Sequence, residues 1–260
     1  MVIGLERFKM HFAGLEDSYI LIGGSACDVN LNALGGAFRV TKDLDIVLCV
    51  EARTNEFARA FWRFIREGGY AIAQRSSDDG KVRKLFYRFQ NPSEADYPKM
   101  LELLSRRPEW LELPDDIRVT PIPLSYDISN LSAILLDDDY YNFILGYRTI
   151  IDGVSLITPP ALVVLKAKAW MNLSEARARG EKILSGDIAK HKNDVARLTP
   201  FVTERPVMPE SIQADMRDFL VRYDNEPIDG KSLRLPDSVD NIKAALHRLL
   251  GIRSVPHEGR

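Results

Sequence analysis

The run Asp43-Leu44-Asp45-Ile46-Val47-Leu48-Cys49-Val50 constrains this chain most. Two acids open a stretch that is otherwise apolar and β-branched, the strongest strand signal in the sequence. Residues two apart on a strand face the same side. Asp43 and Asp45 therefore place two carboxylates within about 7 Å of each other by strand rise. Like charges that close repel, and at the end of a buried strand they also lose solvation. A divalent cation resolves both problems, and Mg2+ (or Mn2+) favours a few carboxylates together with phosphate oxygens. The alternative is a solvated pair in the loop before the strand, balanced by Arg39 or Lys42.

Around this strand the pattern is α/β (α+β). Leu5, Phe8, Phe12 and Leu15 recur at helical spacing. Tyr19 to Ile22 reads as a short buried strand that stops at Gly23-Gly24-Ser25, with a helix from about Ser25 to Ala33. Thr54 caps a helix through about Glu67, whose stripe is Phe57, Phe61 and Phe64 and which Gly68-Gly69 ends. Strand-like runs follow at Tyr70–Gln74, Leu85–Phe89, Lys99–Leu104, Ile117–Pro121 and Leu131–Leu136, and again at Val154–Ile157. Asp78-Asp79-Gly80 suggests a hairpin between the first two. Asp137 to Asp139 tempt as a metal site, but consecutive acids diverge on a helix and favour capping. From Pro159 the chain reads as helical, over Pro160–Ala176, Asp187–Leu198, Pro209–Tyr223 and Val239–Leu250. The prolines between Thr199 and Pro209 read as a linker. The expected architecture is a mixed-sheet core over residues 1–158 and a helical region over residues 159–260 that completes a nucleotide cleft.

Three further features carry chemistry. Gly23-Gly24-Ser25 where a strand meets a helix lets backbone N–H groups approach an anion, and the helix N-terminus adds a favourable partial charge. Glu102, amid Met100, Leu101, Leu103 and Leu104, is costly unless paired or metal-bound. If Pro98 instead starts a helix, Glu102 lies on a solvated face. Lys166 and Lys168 are the only charges between Pro159 and Leu173, in a helix apolar nearly all round, which should be buried. The two lie roughly 200° apart on the helix. Lys166 shares its face with Leu162, Trp170 and Leu173 and is the more expensive to keep. Snorkelling to solvent is its alternative.

The string Tyr19-Ile20-Leu21-Ile22-Gly23-Gly24-Ser25-Ala26, followed by Thr41-Lys42-Asp43-Leu44-Asp45-Ile46, resembles the opening of nucleotidyltransferase-fold (polymerase-β-like) proteins. The nearest flavour is the AbiEii/AbiGii toxin family, where GGxA leads into R-x-T-x-D-[LI]-D; Arg39, Thr41, Asp43 and Asp45 fit. The resemblance implies a nucleotidyltransferase that moves a nucleoside monophosphate from an NTP to tRNA, a protein hydroxyl or a small molecule, with an antitoxin as partner. It implies metal ligation by Asp43 and Asp45 with a third carboxylate, for which Glu102 is the candidate and Asp127 the fallback. It implies nucleotide contacts from Gly23, Gly24, Ser25 and Lys166, which follows Pro160 at the family's spacing; Lys168 and His191 are further candidates for that role. Asp194 matches the first acid of the RDxxD motif and would orient the lysine or the acceptor. Arg197 stands where the second acid belongs. For His191, a surface position in a basic helix is the alternative to phosphate contact, and Arg106-Arg107 would line the cleft or be solvated. A non-catalytic binding module is the alternative to an enzyme.

Composition narrows the rest. The 35 basic and 37 acidic residues leave no global basic field for nucleic acid. Cys27 and Cys49 are in no metal or disulfide spacing and read as packing thiols. No apolar run approaches the roughly 20 residues of a membrane span, and Met1 to Met10 lack the apolar core of a signal peptide. A cytoplasmic, membrane-free protein is expected.

Overall fold

A computed structural model describes residues 2–39, 41, 43–48, 55–77, 84–105, 120, 121, 131, 134, 135 and 137–251. The chain divides into two compact units, Met1–Thr158 and Pro159–Arg260. The architecture is α+β, and the strands all belong to the first unit.

β1 (Tyr19–Ile22) is buried at every residue, as expected of a strand covered on both faces. β2 (Asp43–Leu48) lies antiparallel to it, with Ile22 opposite Asp45. On the other side of β2, β5 (Met100–Ser105) runs parallel, with Asp43 opposite Met100 and Asp45 opposite Glu102. β3 (Ala71–Ser77) and β4 (Lys84–Gln90) form an antiparallel pair, and β4 is antiparallel to β5. β6 (Thr120–Pro121), β7 (Arg148–Ile151) and β8 (Val154–Ile157) complete an eight-stranded sheet in the order β6-β3-β4-β5-β2-β1-β8-β7.

Aromatic side chains fix the helices of this unit. α1 (Leu5–His11) and α3 (Asn55–Gly68) bring Phe8, Phe57, Phe61 and Phe64 together with Phe12 and Tyr19. The Phe8 and Phe12 rings are 4.4 Å apart, Phe12 and Phe57 5.3 Å, and Phe8 meets Tyr19 edge-on at 5.2 Å. Each such ring contributes about 1.5–3 kcal/mol by burial, with a further increment for edge-to-face geometry. α2 (Gly23–Ala33) follows β1 without a loop. α4 (Asp138–Gly146) starts at Asp137, whose Oδ1 accepts the N–H groups of Asp139 and Tyr140 at 2.9 and 3.2 Å. The triple acid is a cap.

One expectation fails, and one strand is additional. Leu131 and Ile134 are helical rather than extended. The Leu135 N–H donates back to the Leu131 carbonyl at 3.4 Å, and a leucine-rich segment has good helix propensity. β7 went unread, although Asp152-Gly153 between apolar runs is a hairpin signal; their φ values of 50 and 72 suit a two-residue turn of the primed type. The 199–209 stretch links two helices through a short 3-10 turn, Thr199–Phe201, and irregular chain. Thr199 and Met208 are buried, and the Thr199 hydroxyl donates to the Val195 carbonyl at 2.7 Å. The Asp78-Asp79-Gly80 turn, Thr54, Cys49 and most of the Ile117–Pro121 run lie outside the described residues.

The second unit is helical: α5 (Pro159–Ala178), α6 (Ser185–Leu198), α7 (Glu210–Asp224) and α8 (Val239–Leu250). Trp170 of α5 meets Phe219 and Tyr223 of α7 edge-on at 5.7 and 5.9 Å. Among the described residues no helix is long and apolar enough to cross a membrane.

Tyr19 offers a test of the aromatic core. Burial pushes its phenol from 10.0 up to about 12, against a smaller opposing contact with the Ser155 backbone. Its hydroxyl has no well-formed hydrogen bond among the described residues. The neutral form is favoured in the fold, so this contribution is complete below pH 10 and is lost as pH rises toward about 12. Tyr19→Phe is expected to melt at the same or a higher temperature at pH 7 and to lose less stability above pH 10. A lower melting temperature at neutral pH would show that the hydroxyl is bonded.

Candidate functional site

The first unit gathers its charges in a row across the sheet. Paired residues on neighbouring strands face the same side, so Arg88 of β4, Glu102 of β5 and Asp45 of β2 form one row. Asp43, two residues before Asp45, shares that face. Asp43 and Asp45 are half-buried, whereas Glu102 is 6% exposed. Glu102 lies on a strand, so the alternative of a solvated helical position starting at Pro98 does not hold.

Asp45 also fixes the glycine turn. Gly23 opens α2 at φ +71, and a Cβ there would overlap Asp45 Oδ2. Only glycine allows both that backbone conformation and that approach. The carboxylate beside the first turn of α2 is favoured by the helix dipole, and the Ile22 cap position supplies no side-chain acceptor. A Cβ on Gly24 would meet Thr41 Oγ1 at 2.8 Å and Arg39 Nη2 at 3.6 Å. Arg39, Thr41 and Asp45 thus close around Gly23-Gly24. The Ser25 hydroxyl donates to the Ile22 carbonyl at 3.2 Å and is fully buried. Its proton is engaged inside the turn.

Glu102 has a partner that sequence reasoning missed. Arg88 Nε and Nη2 both donate to Glu102 Oε1, at 2.9 and 2.5 Å. Glu102 Oε2 is buried and has no hydrogen-bond partner among the described residues. A buried orphan acceptor costs about 1–3 kcal/mol. The signal that could have found Arg88 is its place as a lone charge in Leu85-Phe86-Tyr87-Arg88-Phe89. Among the described residues no group of three or more His, Cys, Asp or Glu side chains is placed to hold a metal ion. Asp43 and Asp45 alone offer carboxylate oxygens of the kind that a hard divalent ion takes. Asp43 and Asp45 share a face, and the orphaned Oε2 of Glu102 is on the adjacent strand. Lys42, Arg106, Arg107 and Asp127 lie outside the described residues.

The second unit holds its own buried charges. Lys166 of α5 is 1% exposed and Asp194 of α6 is 0% exposed, with Nζ and Oδ2 3.1 Å apart. Lys166 does not snorkel. Arg197, in the place of the second motif acid, stands 3.6 Å from Asp194 Oδ1, so one carboxylate lies between two cations. Lys168 points elsewhere and pairs with Asp215 of α7 at 2.7 Å. His191 is buried on α6 rather than displayed on a basic surface.

The chain matches no known protein family, no curated protein and no solved structure.

Two substitutions test these placements. Gly23→Ala is expected to destabilise the first unit by about 1–3 kcal/mol or more, from strain at positive φ together with the clash on Asp45. Gly36→Ala, at a half-exposed position, is the control. Lys166→Met leaves Asp194 short of a partner and is expected to cost about 3–5 kcal/mol in chemical denaturation. Lys166→Met combined with Asp194→Leu should cost less than the two single changes added together.

Proposed function

We propose that this chain is a metal-dependent nucleotidyltransferase that moves a nucleoside monophosphate from an NTP to an acceptor. The observation that carries the reading is the meeting of Asp45 with two features at once: its carboxylate packs against Gly23 at the head of α2, and it stands in register with Glu102. A phosphate-facing backbone turn and a carboxylate set are thereby adjacent.

Asp43 and Asp45 would hold Mg2+ or Mn2+, which would supply charge neutralisation on triphosphate oxygens and acidify an attacking hydroxyl. The Gly23-Gly24 backbone and the α2 N-terminus would receive the phosphates. Arg39, within reach of Gly24, would add a guanidinium, which suits phosphate geometry. In the transfer, the acceptor oxygen attacks the α-phosphorus and the bond to the bridging β-phosphate oxygen breaks. Pyrophosphate leaves, and the hydroxyl proton passes to solvent.

Net charge bears on the acceptor class. With 35 basic and 37 acidic residues the chain exerts no long-range pull on a polyanion. A protein hydroxyl therefore ranks ahead of tRNA, and a small molecule remains the other acceptor class. The AbiEii-like motifs support a toxin with an antitoxin partner; Arg197 in place of an acid is where that likeness is weakest.

One observation favours a second reading, a nucleotide-binding or partner module without chemistry: Arg88 already occupies Glu102 Oε1. Labelling separates the two. Cell extract given α-labelled NTP with Mg2+ or Mn2+ is expected to yield a labelled acceptor. Changing even an outer-sphere partner of a metal site costs about 10–100-fold, so Asp45→Asn should reduce labelling by at least about a hundredfold. NTP binding without transfer, across all four nucleotides and both metals, would select the non-catalytic module.

A further inference from the structure

The sheet of the first unit ends differently at its two edges. At one edge β6 is two residues long and one of them is a proline. Short edge strands and proline both discourage further pairing. At the other edge β7 is Arg148-Thr149-Ile150-Ile151, with neither proline nor glycine. Its pairing with β8 fixes where its backbone groups point. Ile151 and Val154 flank the two-residue turn, Thr149 is opposite Leu156, and the Thr158 N–H donates to the Tyr147 carbonyl at 2.9 Å. Bonded and unbonded pairs alternate along an antiparallel ladder. Tyr147, Thr149 and Ile151 therefore turn their backbone groups to β8, and Arg148 and Ile150 turn theirs outward. Among the described residues no strand lies beyond β7. Ile150 is 51% exposed, and an apolar residue on an open edge invites another strand.

The charges beside this edge select the occupant. Arg148, two residues before Ile150, pairs with Asp17. Asp152, two residues after it, pairs with Lys9 at 2.7 Å. The edge thus carries a cation at one end and an anion at the other, centred on Ile150. A second copy laid antiparallel, with Ile150 opposite Ile150, sets Arg148 of each copy beside Asp152 of the other. Charges at both ends then alternate in sign, from Asp17 and Arg148 of one copy to Asp152 and Lys9 of the other. Each ion keeps the partner it has and gains one across. The same register lets the outward N–H and C=O of the two Ile150 residues bond to each other. Centring the pair on Arg148 would instead set like charges opposite each other, which is unfavourable. The contact is self-complementary and closes as a pair. We propose that β7 is a self-association edge, at which two copies of this chain join their sheets antiparallel through Ile150. Nothing in this pairing depends on the reaction proposed above.

Sedimentation velocity of the full chain over a concentration series tests the pairing. A short strand makes a small interface, so the expected Kd is micromolar rather than nanomolar. The mass should rise from 29.4 kDa toward twice that value. Association should weaken in high salt, which screens the charge pairs at both ends. Ile150→Lys puts a charge on the edge and should weaken association by at least about tenfold. Arg148→Glu alone and Asp152→Lys alone should each stay monomeric, because each sets like charges together at both ends. An equimolar mixture of these two variants should associate, because the charges are then complementary at both ends. Circular dichroism shows whether each variant is folded; should either charge variant unfold, Ile150→Lys decides. A wild type that stays at 29.4 kDa at every concentration overturns the second copy as the occupant and leaves the edge to a strand of another protein. A dimer that Ile150→Lys leaves unchanged, or charge variants that dimerise alone as well as mixed, would place the contact on another face and overturn the proposal too.

Discussion

The close approach of the Asp45 carboxylate to Gly23 is the constraint on which the candidate site depends. The chain leaves β1 at φ +71, and the space a side chain would fill is taken by Asp45 Oδ2. That contact ties the head of α2 to β2, in the register that sets Ile22 opposite Asp45. The same register, carried to β5 and β4, aligns Asp45, Glu102 and Arg88. A slip of one residue in any of these pairings would send a charged side chain to the opposite face. The turn, the carboxylates and the guanidinium therefore stand or fall together.

Both units keep buried charge by pairing it. In the first, Glu102 is satisfied on one oxygen by Arg88 and left open on the other. In the second, Asp194 lies between Lys166 and Arg197. Buried ion pairs are weak sources of net stability, because desolvation offsets most of the Coulomb gain. Their cost is better understood as the cost of specificity.

Much of this was legible in the sequence where the signal is local. The β1 and β2 runs, the Phe57-Phe61-Phe64 stripe and the Asp137 cap follow from composition and spacing along one segment. The preference for Lys166 over Lys168 as the buried lysine followed from the residues that share each one's helix face, and Lys168 pairs with Asp215. What escaped was non-local or orientational. Arg88 meets Glu102 only because β4 and β5 pair, which no periodicity reveals. The Ser25 hydroxyl turns back to Ile22, a choice between two acceptors that spacing does not express. The apolar run at Leu131 and Ile134 does not by itself distinguish a strand from a turn of helix, and it is helical.

The central claim is that Asp43 and Asp45 hold a divalent ion at the glycine turn. The most direct measurement is an anomalous difference map from crystals grown with Mn2+ and a non-hydrolysable NTP. The expected result is a peak at about 2.0–2.2 Å from oxygens of Asp43 and Asp45, in the range of small hard divalent ions, with the triphosphate against the Gly23-Gly24 backbone. A triphosphate bound elsewhere, or Mn2+ bound away from both aspartates, would contradict it.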